Sequence, residues 1–191
     1  MADRLPAHAE IATGHGDFGA WMAAEQKRIF LLCRRMLQDA DEADGATQDS
    51  FLKAYEALKK SGVPLDDPGR WITRIAVNTC LDRLRSRKWQ LWRKRPRPQD
   101  EAAILGAAPS LAPTAEDKMF ASQIQGRIAQ ALEKLSARQR TVFTLKHYEG
   151  RTLDEIAGIL DLDIGTVKAH MFRAVTKLRA DLRDLYYGEG R

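Results

Sequence analysis

The chain has 191 residues, of which 44% are hydrophobic and 30% charged, so it can form one ordinary domain or two small ones and is not a disordered protein. Its net charge of +5 favours a polyanionic partner, and no stretch approaches the ~18 apolar residues that a transmembrane helix needs. Cys33 and Cys80 occur singly in apolar patterns, which excludes a cysteine metal cluster and predicts two buried thiols in a reducing compartment. We therefore expect a cytoplasmic location, and the lack of a long apolar stretch predicts no membrane insertion.

The first part of the chain predicts two helices behind a leader. Residues 1–16 show no apolar periodicity, and we interpret them as flexible. Apolar residues then recur at spacings near three, four and seven between Phe18 and Leu37, which predicts a first helix. Asp39, followed three residues later by Glu42, is typical of a capping box and predicts the start of a second helix.

A third helix follows a break that contains Gly62 and Pro64. The pair Asp67-Pro68 predicts its first turn, because aspartate caps helices and proline is favoured at their first position. We therefore expect residues 17–92 to form one small helical domain.

A linker and a second helical domain follow. Residues 93–120 contain four prolines and show no periodicity, which predicts a flexible linker. A second domain is expected at residues 121–187. Its helix starts are predicted by capping residues: Ser136 with Gln139, Thr152 with Glu155, and Asp163. The predicted fold class is all-α, with two small helical domains and a flexible linker between them.

The second domain contains the strongest motif of the sequence. A short helix, a tight turn at Asp161–Asp163 and a longer helix have the spacing of a DNA-binding helix-turn-helix, whose second helix enters the major groove. One stripe of the longer helix is apolar, and its other face carries candidate DNA-binding residues: Lys168, Ala169, His170, Phe172 and Arg173. The lysine and the arginine can donate to guanine acceptors, whereas the alanine and the phenylalanine suit thymine methyl groups.

Several features of this helix allow more than one interpretation. An ordinary amphipathic helix with a solvated basic face is the alternative to DNA binding. The N–H groups of residues 164–167 could receive a backbone phosphate. His170 could contact phosphate as well, although a solvated surface histidine is the simpler interpretation.

Two charged surfaces are predicted in the first domain. Residues 83–97 (RLRSRKWQLWRKRPR) contain eight basic residues, no acidic residue and two tryptophans. This pattern favours a nucleic-acid groove, whereas a solvated charge run beside packed tryptophans is the alternative. The second helix has a polar face that is either solvated surface or a protein-docking surface: Asp41, Asp44, Gln48 and Asp49.

Three segments resemble the successive signatures of the extracytoplasmic-function (ECF) sigma factors of bacterial RNA polymerase: DADEADGATQDSFLKAYEAL, RWITRIAVNTCLDRLRSR and LSARQRTVFTLKHYEGRTLDEIAGILDLDIGTVKAHMFRA. The resemblance covers residues 18–89 and 123–182. It implies a protein that is not an enzyme, needs no cofactor or metal ion, binds core RNA polymerase and directs it to promoter DNA. Many members of this family are held inactive by an anti-sigma factor, which is a further candidate partner, and we expect a monomer when the chain is free.

The resemblance also implies a role for each domain. Residues 17–92 would be sigma domain 2, and residues 121–187 would be sigma domain 4. The largest polymerase subunit would be bound by residues of the second helix: Asp44, Gln48, Asp49 and Leu52. The promoter −10 element would be bound by the loop at 61–67 and by residues of the third helix: Arg74, Asn78, Arg83 and Arg85. The −35 element would be read by the residues at 168, 169, 170, 172 and 173.

The sequence departs from the family pattern in the docking helix. Gly45 and Ala46 replace an acidic residue and a leucine that are usual there, and glycine predicts a local weakening of the helix. Two other functions remain open. A stand-alone helix-turn-helix regulator would bind its operator without polymerase, usually as a dimer. An enzyme that acts on DNA would need a nucleophile or paired carboxylates in a pocket, and no such constellation is evident in the sequence.

Overall fold

The structure, a computed structural model, describes these parts of the chain: residues 18–61, 66–93, 124 and 126–183. For residues 61 and 88–93 it describes the backbone alone. The described residues form these helices: α1 (Phe18–Leu37), α2 (Ala40–Ser61), α3 (Pro68–Arg93), a helical segment at 126–133, α4 (Ala137–His147), α5 (Leu153–Leu160) and α6 (Ile164–Asp181). They contain no strand, so the predicted all-α class is confirmed.

The chain divides into two compact units, and the principal division lies between Gln90 and Leu91. The first unit contains α1, α2 and nearly all of α3, while α4 and α6 belong to the second. The exact domain limits stay predictions, and the leader lies outside the described residues, as does almost all of the linker. Among the described helices, none combines the length and the apolar character that crossing a membrane requires.

In the first unit, α1 and α2 pack against each other. The turn between them has Gln38 in the left-handed region, with a φ of 60°. Asp39 then caps α2 as predicted, because its carboxylate accepts a hydrogen bond of 2.9 Å from the N–H of Glu42. The carboxylate of Glu42 pairs with Arg83 on α3, so the predicted capping box is replaced by a single cap and an interhelical ion pair.

Side-chain hydrogen bonds join α3 to the other two helices. Asp67 caps α3 as predicted, since its carboxylate accepts from the N–H of Arg70 at 2.7 Å. Arg28 of α1 donates to the hydroxyl of Thr73 at 3.0 Å. Lys53 of α2 donates to the hydroxyl of Thr79 at 3.0 Å. Because the bonds of Arg28 and Lys53 cross between helices, they help to hold α3 against α1 and α2.

The two cysteines lie in the core of the first unit. Cys33 of α1 and Cys80 of α3 are free thiols with no exposed surface. The neighbouring thiol of Cys33, followed by burial, raises the pKa of Cys80. Both thiols are therefore buried in the core, as predicted.

The helices of the second unit begin at the predicted caps. Ser136 and Gln139 form a complete capping box at the start of α4. Thr152 and Glu155 form another before α5, with bonds of 3.2 and 2.7 Å in the two directions. Gly150 precedes this second box with a φ of 66°, a conformation that glycine adopts without strain.

One core cluster holds the second unit together. It joins the segment around 126–133 to α6 through these residues: Ala131, Leu132, Leu135, Ala174, Leu178 and Leu182. Arg140 of α4 is also buried, and its guanidinium donates to backbone carbonyls at the end of that segment, including those of Leu132 and Glu133 at 3.0 Å each. Burial lowers the pKa of Arg140. Its hydrogen bonds satisfy carbonyls that a helix end otherwise leaves without partners.

Candidate nucleic-acid and protein interfaces

The helix α6 separates an apolar face from an exposed face as the spacing predicted. Val167, Ala174 and Leu178 are buried. Lys168 and Arg173 are exposed, and the ring of Phe172 is 73% exposed. An aromatic ring this exposed gains nothing for the folded chain, whereas it suits contact with an apolar group of a partner. The structure therefore places two cations and one aromatic ring together on the outer face of the helix.

The first turn of α6 is occupied by its own cap. The carboxylate of Asp163 accepts from the N–H of Thr166 at 2.8 Å, and its carbonyl accepts from the N–H of Val167 at 3.2 Å. Bonds with the hydroxyl and the N–H of Thr166 are the main reasons why the pKa of Asp163 lies below its ordinary value. Two of the four N–H groups at 164–167 are thus bound by the cap, which also adds a negative charge there. Both features disfavour a phosphate at this turn, and phosphate binding stays a prediction.

His170 is half-buried, so the interpretation as a solvated surface histidine is wrong. Its Nδ1 is buried and has no hydrogen-bond partner among the described residues. Burial is the largest cause that lowers its pKa, followed by the charges of Arg173 and Arg138. The lowered pKa of His170 favours the neutral ring over the charged one.

Arg138 is a further cation near the exposed face of α6, and it was not predicted from the sequence. It is half-buried on α4, and its charge reaches His170 on α6. Periodicity within α6 could not reveal it, because the residue comes from a different helix. The only available signal was its position two residues after the cap Ser136, at the start of the preceding helix.

On α3 the structure brings together three of the four residues predicted for the −10 element. Arg74, Asn78 and Arg85 are exposed, and their spacing of four and seven places them on one side of the helix. Arg83 is nine positions from Arg74, which is about 180° around a helix. The loop residues 62–65 and the side chains from 88 onward, including both tryptophans of the basic run, lie outside the described residues.

The side chain of Arg83 contacts α2. Its guanidinium donates to the carboxylate of Asp49 at 2.6 Å and to that of Glu42 at 2.8 Å. The bond with Asp49 is the main reason why the pKa of Arg83 lies above its ordinary value. One residue predicted to bind DNA is thereby joined to one predicted to bind polymerase.

The outer face of α2 borders an apolar groove. Asp44 and Gln48 are exposed and joined to each other by a hydrogen bond of 2.8 Å, and the side chain of Leu52 is 61% exposed. The groove beside them has a volume of about 390 Å³ and lies between α1 and α2. It is lined by Phe18, Met22, Gln26, Asp44, Thr47, Gln48, Phe51, Leu52 and Tyr55. The residues from α1 were not predicted, because spacing within one helix does not show which faces of different helices pack together.

Comparisons with known proteins match both units. The family model described as sigma-70 region 2 matches residues 15–90, and the one described as sigma-70, region 4 matches residues 125–178. The chain is 32% identical to the ECF RNA polymerase sigma factor SigW of Bacillus subtilis over 161 residues, which cover 83% of this chain and 84% of that protein. It is 31% identical to the RNA polymerase sigma-H factor of Pseudomonas aeruginosa over 157 residues, or 78% and 77% of the two chains.

Solved structures have the same fold. The sigma factor RpoE of Bartonella quintana, solved in complex with the anti-sigma factor NepR, is similar with a TM-score of 0.69 and 22% identity, covering 87% of this chain and 97% of that one. CnrH, solved in complex with the cytosolic domain of CnrY, is similar with a TM-score of 0.60 and 23% identity, covering 93% and 98%. With both regions matched in order and a relative above 30% identity along most of its length, this chain belongs to the ECF sigma factor family.

Proposed function

We propose that this chain binds core RNA polymerase and directs it to promoter DNA for the initiation of transcription. One observation carries the proposal: a single chain exposes two surfaces of opposite chemistry. The surface on α2 combines carboxylates with an apolar groove, while the surface on α6 combines cations with an exposed aromatic ring. The first repels DNA and suits a protein, and the second suits the major groove.

The surface on α2 is the proposed contact with polymerase. Leu52 lies at the rim of the groove and is 61% exposed, so it extends the apolar surface of the groove, and a continuous apolar surface of this kind suits a protein partner. Asp44 and Gln48 border the same groove and can pair with cations and donors of a partner. An apolar centre with a polar rim is the usual anatomy of a protein interface.

The surfaces on α3 and α6 are the proposed contacts with promoter DNA. The exposed side chains of Arg74, Asn78 and Arg85 would contact the −10 element, where cations bind backbone phosphate and an amide can bind a base edge. The exposed face of α6 around Phe172 and Arg173 would read the −35 element in the major groove. In this proposal the chain positions polymerase and performs no chemistry itself, and it acts as a monomer in the cytoplasm.

An anti-sigma factor is a further partner in this proposal. The sigma factor of Bartonella quintana was solved with such a protein bound. The apolar groove on α2 offers a surface that an inhibitor could cover. Occupation of that groove would block polymerase and keep the chain inactive.

The proposal is tested by run-off transcription. Purified core polymerase is incubated with a library of genomic fragments, with and without the chain, and new start sites are mapped. We expect new transcripts that depend on the chain. Leu52→Glu should abolish them by placing a charge over the apolar groove, whereas the matched variant Lys59→Glu, at an exposed position of the last turn of α2, should retain them.

Two outcomes would contradict the proposal. If the chain produces no start site on any fragment and does not bind core polymerase in a pull-down, it is not a sigma factor in function. If it binds one duplex tightly and as a dimer in the absence of polymerase, it is a stand-alone regulator instead.

A further inference from the structure

Arg83 reaches across from α3 to two carboxylates of α2. The bonds to Asp49 and Glu42 measure 2.6 and 2.8 Å, and the same guanidinium also approaches the backbone carbonyl of Glu42 at 3.5 Å. The side chain of Arg83 is only 28% exposed. A planar guanidinium that engages two carboxylates is held more firmly than a single surface ion pair, because several bonds fix one orientation.

Gly45 provides the space for this contact. A Cβ atom added at Gly45 would lie 3.1 and 3.2 Å from two nitrogens of the Arg83 guanidinium. Glu42, Gly45 and Asp49 are separated by three and four residues, so they share the face of α2 that meets Arg83. A glycine inside a helix costs stability. At this position it lets the guanidinium approach α2 closely, because even a Cβ atom would require Arg83 to move by a few tenths of an ångström and a longer side chain would require more.

Asp49 lies at the border between two faces of α2. One face receives Arg83, and the other is the exposed face of Gln48 and Leu52 beside the groove. The side chain of Asp49 is 47% exposed although its carboxylate is bound to Arg83. It can therefore meet a partner while Arg83 holds its orientation.

We propose that Arg83 is a positioning residue of the polymerase-binding surface, which holds Asp49 in place from α3 through the gap at Gly45, and is not a DNA-binding residue. This inference rests on the proposed function. It separates Arg83 from Arg74, Asn78 and Arg85, which project from a different side of α3. Polymerase binding then depends on a residue that does not itself lie on the docking surface.

The test measures the affinity of the full chain for purified core polymerase by fluorescence anisotropy, with a dye at the N-terminal amine. Arg83→Gln removes the charge with little change in size, and we expect it to weaken binding about fivefold, since an ion pair of this exposure has a modest effect. Lys59→Gln makes the same change of charge on the exposed end of α2 and should stay within about twofold of the parent chain.

A double-mutant cycle separates positioning from simple stabilisation. If Arg83 acts through Asp49, then Arg83→Gln should have no further effect on affinity in a chain that already carries Asp49→Asn. Gly45→Leu, a strong helix former that displaces the guanidinium, should weaken binding in the parent chain and add nothing to Arg83→Gln. Melting temperatures, with binding measured well below them, identify any variant that is merely unfolded.

The outcomes are distinct. Unchanged affinity in Arg83→Gln and in Gly45→Leu, with the parent chain bound, would overturn the inference and leave the proposed function intact. Equal effects of Arg83→Gln with and without Asp49→Asn would overturn it as well. Failure of the parent chain to bind polymerase at all would instead overturn the proposed function.

Discussion

Phe172 offers a direct test of the proposed DNA-reading face, because it is exposed on the outer side of α6. A phenylalanine side chain can bury roughly 200 Å², and with 73% of its surface exposed, Phe172 could bury roughly 150 Å² more against DNA. At about 25 cal/mol/Å² this gives an upper limit of about 4 kcal/mol. Because ordering and desolvation consume part of that gain, we expect about 1–2 kcal/mol for Phe172→Ala, or about 5- to 30-fold in affinity.

The assay uses the complex of the chain with core polymerase and a promoter fragment obtained from the run-off experiment. Binding is measured by electrophoretic mobility shift at fixed salt. Phe172→Ala should leave the melting temperature of the free chain nearly unchanged, since substitutions of exposed residues have small effects. Leu178→Ala removes a side chain of the core cluster that is only 7% exposed, and it should instead lower the melting temperature, because it destabilises the chain by about 2–5 kcal/mol.

The result that would refute this reasoning is specific. If Phe172→Ala binds the fragment as tightly as the parent chain, then the exposed ring does not meet DNA and the face assigned to α6 is incorrect. If it lowers the melting temperature as much as Leu178→Ala, then the ring is part of the fold in solution and the exposure that motivates the prediction is absent.

Two further predictions concern the stability of the second unit. Arg140→Met removes at least three hydrogen bonds to the carbonyls of Leu132, Glu133 and Leu135 and should lower the free energy of unfolding by about 2–4 kcal/mol. Thermal unfolding would detect this as a fall of about 10–20 °C in the melting temperature. Lys146→Met, at an exposed position, is the control, and equal melting temperatures of the two variants would contradict the role of the arginine. Hydrogen bonds from Thr152 and Thr166 lower the pKa of Glu155 and Asp163 below their ordinary values of 4.5 and 3.8. A carboxyl group whose pKa is lowered by folding stabilises the folded state at pH values above its ordinary pKa. That contribution is lost as the pH falls through the lowered pKa, so the unit should lose stability below about pH 4. Asp163→Asn should reduce this dependence in melting curves between pH 2 and pH 6, and identical pH profiles would contradict the reasoning.

The sequence predicted local features well, because they depend on residues close together in the chain. The cap at Asp39, the boxes at Ser136 and Thr152 and the buried stripe of α6 follow from spacing within one helix, and the structure contains all of them. Contacts between helices were not predictable in this way. The pairing of Arg83 with Asp49, the contribution of α1 to the groove, and the proximity of Arg138 to His170 each depend on how two helices pack.

Gly45 illustrates how a local rule and a tertiary contact can point in opposite directions. Helix propensity alone predicts that glycine weakens α2, yet the helix runs without interruption from Ala40 to Ser61. The packing of α3 explains why a glycine is tolerated there, because the guanidinium of Arg83 occupies the space beside it and binds a carboxylate on either side. The glycine at position 45, which departs from the family pattern, and the orientation of Arg83 therefore depend on each other. A change at either residue should alter the proposed polymerase-binding surface only as long as the other residue is present.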